Sequence, residues 1–261
     1  DYRQLTYRCL KAQKKRTLLT IIGIILSVAL ITSIGTMVIS ARDMMIKNEI
    51  ERNGDYHAIF LATPSDKVNN IRNYVGVENS ALTSEIGTGI LARITNDERQ
   101  QNPESPPYRY VNIKGYDKDA FDMLPISLKE GRLPQNEGEI LLEYWVADYM
   151  PNNPKIGDVI TLPIGTRVDE QGNELSSDGY MNNEVFQEED IRKYTIVGFF
   201  ELKFVWVGRY MTTGITYLDS NNLSGDAEYN VYVKMDSVKD IHKKTKEIAN
   251  NLELYQYKQD S

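Results

Sequence analysis

The sequence predicts an α+β extracytoplasmic domain on a single N-terminal transmembrane helix that is prolonged into a helical stalk. Three observations predict it. Residues 17–41 contain no charged side chain and are dominated by Ile, Leu and Val. The whole chain is nonetheless polar, with a mean hydropathy of −0.44 and 26% charged residues, values that a bundle of several spans could not show. Beyond residue 55, short alternating apolar runs are interleaved with helical patterns and with Gly, Pro and Asn turn residues.

The basic flank sets the orientation. Residues 1–16 carry Arg3, Arg8, Lys11, Lys14, Lys15 and Arg16 against Asp1 alone, a local charge of +5. A helix over 17–41 crosses a hydrocarbon core of about 30 Å with length to spare. The positive-inside rule holds the flank in the cytoplasm, so residues after about 42 lie outside the cell membrane. A cleaved secretory signal has a similar order, but its apolar part runs for only about 7–15 residues. The run here is longer, and the nearest cleavage candidate, Val38-Ile39-Ser40, is poor at its first position. Within the flank, Leu5, Cys9, Leu10 and Ala12 share a modest apolar side, with Tyr2 and Tyr7 at headgroup level. That pattern fits an interfacial helix on membrane lipid, or a plain topology signal.

Small residues recur within the span. Thr20, Gly23 and Ser27 share a face in the inner half, and Thr32, Thr36 and Ser40 repeat every four residues in the outer half. Small-xxx-small rows let helices approach closely in lipid, which makes Gly23, Ser27, Thr32, Thr36 and Ser40 the candidate packing residues. The alternative is that these residues are simply tolerated, each satisfying its own backbone. Nothing breaks the helix before Asn53-Gly54, a natural stop. The rod over 17–52 is then about 54 Å long. Residues 42–54 form the stalk, with Met45, Ile46 and Ile50 as its contacts to neighbours. Such a rod can carry tilt or translation, or serve as a spacer.

The aqueous part reads in order as follows. Strands are expected at 56–62, 89–95, 110–115, 139–142, 158–162, 194–200, 211–218 and 229–235. Helices are expected at 65–74, opened by Pro64, and at 118–124, 143–149 and 237–252. The last carries Val238, Ile241, Thr245 and Ile248 at helical spacing and should cover a sheet. Residues 96–107, with Pro103, Pro106 and Pro107, form a loop or boundary. Residues 168–190, with Gly172, Asn173 and Gly179, read as a surface hairpin with a mobile excursion.

Charge and chemistry narrow the function. The chain carries −7 overall, so the part after residue 16 carries −12, which argues against a nucleic-acid partner. Cys9 is the single cysteine and precedes the span, so no disulfide framework exists outside. The sequence contains neither a G-x-x-x-x-G-K-S/T loop for ATP nor a G-x-S-x-G elbow. His57 and His242 stand in no metal-ligand spacing and read as ordinary strand and helix-face residues. Gly87-Thr88-Gly89 reads as a turn, Asp169, Asn173 and Glu174 around Gly172 as a hairpin turn, and Glu188-Glu189-Asp190 as a solvated face. No catalytic, cofactor-binding or metal-binding residue is predicted. Trp145, with Val146 and Tyr149, looks like a helix packed on the sheet. Phe199 and Phe200 belong to a core strand. Phe204, Val205, Trp206 and Val207 cannot all face one side of a strand, and their tip is a candidate contact for lipid, a partner protein or a hydrophobic substrate.

Four phrases carry a family resemblance. They are KRTLLTIIGIILSVALITSI from Lys15, IKGYDKDAFDMLPISLKEGRLPQNEGEILL from Ile113 to Leu142, KIGDVITL from Lys155 and YTIVGFF from Tyr194. Together they resemble the FtsX/MacB superfamily of ABC-transporter permeases, most specifically in Gly131-Arg132, Pro134 and Glu139-Ile140. The resemblance implies a porter-like membrane-proximal layer at 55–100 and 225–261, with a mostly-β distal layer inserted at 101–224. It also implies a separate cytoplasmic ATPase subunit, a second permease copy or homologous half, and export or extraction of a substrate without covalent chemistry in this chain. In that family three further spans follow the external domain, so a chain that opens without Met and ends at Ser261 is expected to be a piece of a longer permease. The alternative is a single-pass membrane-anchored sensor or ligand-binding protein. The small-residue rows favour the permease, because a lone anchor needs no such packing.

Overall fold

The computed structural model describes residues 14–93, 108–175, 184–202, 211–254 and 257–259. The first element is α1, Lys14–Asn53, a single uninterrupted helix with no buried residue. Its most apolar window has a mean hydropathy of 2.5. Apolar side chains cover all sides of it, as a helix surrounded by lipid or by other helices requires. Gly54, at φ +109°, takes the chain out of the helix, and its N–H donates to the Ile50 carbonyl at 2.9 Å.

From Ile50 onward the chain folds as one unit around a ten-stranded sheet. The elements are β1 (Ala58–Pro64), α2 (Ser65–Arg72), β2 (Val77–Arg93), β3 (Tyr108–Tyr116), α3 (Lys118–Met123), β4 (Ile126–Gly131), β5 (Glu139–Glu143), β6 (Val159–Val168), β7 (Val185–Leu202), β8 (Met211–Tyr217), β9 (Glu228–Met235), α4 (Ile241–Asn251) and β10 (Tyr257–Gln259). Strand order is β10-β1-β9-β2-β3-β8-β5-β7-β4, and β6 pairs with both β2 and β7. The β6 pairings close β2, β3, β8, β5, β7 and β6 into a ring, in which β3–β8 and β5–β7 are parallel.

Two layers result. The first four strands in that order are mutually antiparallel, and β1-α2-β2 and β9-α4-β10 each form a split βαβ unit. Alternation in β9 explains the packing, with Tyr229, Val231, Val233 and Met235 buried and the residues between them half-exposed. They meet Phe60 and Leu82 from neighbouring strands, Val68 and Ile71 of α2, and Ile248 and Ala249 of α4. The ring has its own core, built by the same period: Val111 and Ile113, Ile140 and Leu142, then Ile160, Leu162 and Ile164, closed by Ile196. β2 belongs to both layers, giving Leu82 to one core and Leu91 to the other.

Several expectations change. The strand expected from 89 begins at Val77, because Glu78, Asn79 and Ser80 hide its start in the sequence. Gly87-Thr88-Gly89 is no turn but lies within β2 at a bulge, where Gly87 has φ +139° and a Cβ would sit 2.9 Å from Ile164. No helix forms over 143–149. β5 ends in Glu143, whose buried carboxylate accepts the Thr213 N–H at 2.7 Å and the Trp145 indole N–H at 2.9 Å. Only Ala147–Tyr149 then make a 3-10 turn. The last helix starts at Ile241 rather than 237, because the Ser237 hydroxyl holds the Lys239 N–H in a turn that leaves Val238 exposed. β4 and β10 were not expected, the first being an exposed edge strand with no clear alternation. The hairpin of β6 and β7 is a long ribbon, with Glu188, Glu189 and Asp190 exposed on β7. Segment 1–13, the 96–107 loop and the 176–183 excursion lie outside the described residues.

Candidate functional site

The sequence-predicted packing residues lie along α1. The hydroxyls of Thr20, Ser27, Thr32 and Thr36 donate to the carbonyls of Arg16, Gly23, Val28 and Thr32 at 3.0, 2.8, 2.9 and 3.1 Å. Each polar group is thereby satisfied inside the helix, which suits lipid and leaves the face small. A Cβ built at Gly23 meets nothing within 4 Å. Ser40, Met45, Ile46 and Ile50 are exposed. Phe204, Val205, Trp206 and Val207 lie outside the described residues.

A constrained geometry marks the place where the chain enters the sheet unit. Here the Asp55 N–H donates to the Met123 carbonyl at 2.7 Å and the His57 N–H to the Val233 carbonyl at 2.8 Å. The Asp55 carboxylate accepts a hydrogen bond from the Lys234 ammonium at 2.6 Å, which favours the charged lysine and raises its pKa. The Met235 N–H donates to His57 Nδ1 at 2.9 Å. Gly54 is needed for close approach, since a Cβ there would lie 2.6 Å from the Met123 carbonyl oxygen, on a backbone already at φ +109°. Tyr56 packs edge-on against Tyr232, with centroids 5.0 Å apart.

The partner of this segment, α3, is itself anchored. Asp117 caps it, accepting the Ala120 N–H at 2.9 Å, and also accepts the Leu82 N–H of β2 at 3.0 Å. Arg72 of α2 reaches Asp117 at 3.3 Å, Asp119 at 3.1 Å and the Ser80 hydroxyl at 3.1 Å. Burial raises the Asp117 pKa, opposed by the Leu82 and Ala120 amides and by Arg72. Residues 54–57 are thus tied to α3 and β9, and through α3 to α2 and β2. The sequence marked Asn53-Gly54 as the helix stop. Asp55, Met123 and Lys234 carried no signal, because their pairing depends on sheet order.

The phrase that carried the family resemblance has a structural reason. Gly131 stands at φ +86°, and a Cβ there would collide with the Val197 carbonyl. Arg132 then grips Glu139 through two hydrogen bonds of 2.7 Å, while Glu139 also accepts the Gln135 N–H at 2.9 Å. Arg132 holds the Glu139 carboxyl at a pKa of about 2. The motif therefore closes the loop between β4 and β5. Asp169 accepts the N–H groups of Gln171 and Asn173 in the tip of the β6–β7 hairpin. Among the described residues no group of three or more His, Cys, Asp or Glu could hold a metal ion.

An apolar helix of spanning length that leads into split βαβ units with an inserted strand ring defines a membrane-anchored extracytoplasmic domain. The family described as the MacB-like periplasmic core domain matches residues 17–251, so the chain belongs to that family, and with it to the FtsX/MacB type of ABC-transporter permease. No curated protein matches the chain. Among solved structures, the extracellular domain of the ABC-type transporter YknZ from Gram-positive bacteria aligns at 11% identity and a TM-score of 0.47, covering 78% of this chain and 99% of that one. The periplasmic region of MacB from Actinobacillus actinomycetemcomitans aligns at 11% identity and 0.47, covering 82% and 92%.

Proposed function

We propose that this permease chain transmits motion driven by a cytoplasmic ABC ATPase through the 42–54 stalk to the extracytoplasmic domain, which exports or extracts a substrate. The observation that carries the reading is the junction. An unbroken helix ends in a glycine that admits no side chain, and the next three residues are tied to two separate elements of the sheet unit. A passive tether would need neither constraint. Gly23, Ser27, Thr32, Thr36 and Ser40 pack α1 against other spans, including those of a second permease copy or homologous half, and Met45, Ile46 and Ile50 contact neighbours in the stalk. ATP is hydrolysed in a separate subunit. Phe204 to Val207 are the proposed contact for a partner or hydrophobic substrate. The split βαβ units make the membrane-proximal, porter-like layer and the ring makes the distal one.

Inserting Gly-Gly after Ile46 tests the lever. The insertion turns the distal helix by about 200° at 3.6 residues per turn and adds a flexible point. ATP hydrolysis by the assembled transporter should persist while substrate movement stops. Normal transport by the insertion variant would reduce the stalk to a spacer.

A further inference from the structure

His57 sits three residues beyond Gly54 and does two things at the edge of β1. Its backbone N–H donates to the Val233 carbonyl, and its ring nitrogen Nδ1 accepts the Met235 N–H at 2.9 Å. Ala58 is paired with Val233, so the imidazole adds one rung to the β1–β9 ladder at the point where the chain arrives from α1. An imidazole accepts at Nδ1 only when neutral with its proton on Nε2, because a protonated ring has donors at both nitrogens. We propose that His57 is a proton-operated latch of the stalk junction, closed on the Met235 amide when neutral and released from it when protonated. The proposal names a regulation of the junction and rests on the lever reading for its effect on transport.

The surroundings favour the closed form near neutrality. Burial of the half-buried ring lowers its pKa below 6.5. Asp55 on the same segment and Glu78 of β2 draw a proton on, and Lys234 of β9 opposes it. The Asp55 carboxylate is also engaged with the Lys234 ammonium at 2.6 Å, and the two act on the ring in opposite senses. Release therefore requires acid, and it removes one rung beside Gly54 while leaving the Asp55–Met123 bond in place. The consequence is a looser grip on the stalk in an acidic exterior.

The test uses the full chain with His242→Gln, which leaves one of the two histidines, so a single imidazole titrates by NMR. Between about pH 8 and about pH 5, exchange of the Met235 amide, corrected for its intrinsic pH dependence, should accelerate about tenfold as the ring protonates, as loss of one hydrogen bond implies. His57→Phe should exchange fast at every pH. His57→Asn, which keeps an acceptor oxygen, should stay protected without the acid step. An unchanged Met235 amide through the ring's titration, or a ring that titrates above about 6.5, overturns the latch. In the assembled transporter, ATP consumed per substrate moved should rise below the His57 midpoint in the parent and stay flat in His57→Asn. A latch confirmed by exchange but without this rise would overturn its regulatory role. Failure of the lever itself would appear separately, as normal transport by the Gly-Gly insertion.

Discussion

Along α1 every large apolar side chain from Leu18 to Ile50 is exposed, whereas in the sheet unit Phe60, Leu82, Ile113, Ile140, Leu141, Leu142 and Ile196 are wholly buried. The same residue types thus meet two different fates within one chain. The sheet unit buries its large apolar side chains in cores of its own. The helix leaves its apolar side chains, Leu19 and Ile31 among them, exposed along its length, and its length and composition suit a membrane span. Changes in the sheet unit should therefore act on stability and changes in α1 on assembly and transport, with the junction at Gly54 as the one place where both respond.

The largest stability effect should come from inside the ring. Arg167 and Glu184 form a buried ion pair with side chains 2% and 0% exposed, and Arg167 also donates to Met211 Sδ and lies over the Tyr110 ring. Arg167→Ala removes the cation from a buried carboxylate and should cost about 3–5 kcal/mol. Thermal unfolding of the full chain measures it. A cost below 1 kcal/mol, on the order of a surface pair, would show that the ring does not depend on the pair.

Gly54→Val should come next. It forces a β-branched side chain onto a positive φ beside the Met123 carbonyl, for about 1–3 kcal/mol. Unlike Arg167→Ala it should also lower the substrate moved per ATP hydrolysed, and a variant that only loses stability would separate the junction from the lever. A smaller effect is expected from acid. Arg132 holds the Glu139 pKa at about 2 against an ordinary 4.5, so the contribution of this pair is complete above pH 4.5 and is lost as pH falls toward 2. Glu139→Gln should flatten the melting temperature over that window, and an unchanged pH profile would remove the pair from the loop's stability. The smallest effect on unfolding is expected for Gly23→Leu with Ser27→Leu. It should leave the sheet unit's melting unchanged, since a Cβ at Gly23 meets nothing in this chain, while cross-linking between copies weakens. Unchanged cross-linking would set aside the packing rows.

The same contrast explains what was legible in the sequence. α1 could be read because composition alone marks a helix in lipid, and β3, β6 and β9 because their alternation survives in Val111 and Ile113, Ile160 and Leu162, or Val231 and Val233. β2 was half hidden, since its first turn of sequence is Glu78-Asn79-Ser80 and its bulge is built from glycines that imitate a turn. The 143–149 segment misled for another reason: Trp145, Val146 and Tyr149 have helical spacing, but the Glu143 carboxylate holds the indole and a β8 amide, and tertiary contact wins over local pattern. At the junction the Asn53-Gly54 stop and a strand from 56 were visible, but not the ties of Asp55. Asp55 meets Lys234 across 179 positions of sequence, a pairing that follows from placing β9 beside β1 and from nothing local.

The central claim is that motion reaches the sheet unit through α1. A spin label at Asp122→Cys, an exposed position of α3, in a Cys9→Ser background, reports the separation of the sheet units of two permease copies in the assembled transporter. With the native stalk, that separation should differ between the nucleotide-free and ATP-bound states. With Gly-Gly inserted after Ile46, hydrolysis should continue and the difference should vanish. An equal change in separation with and without the insertion would contradict the account.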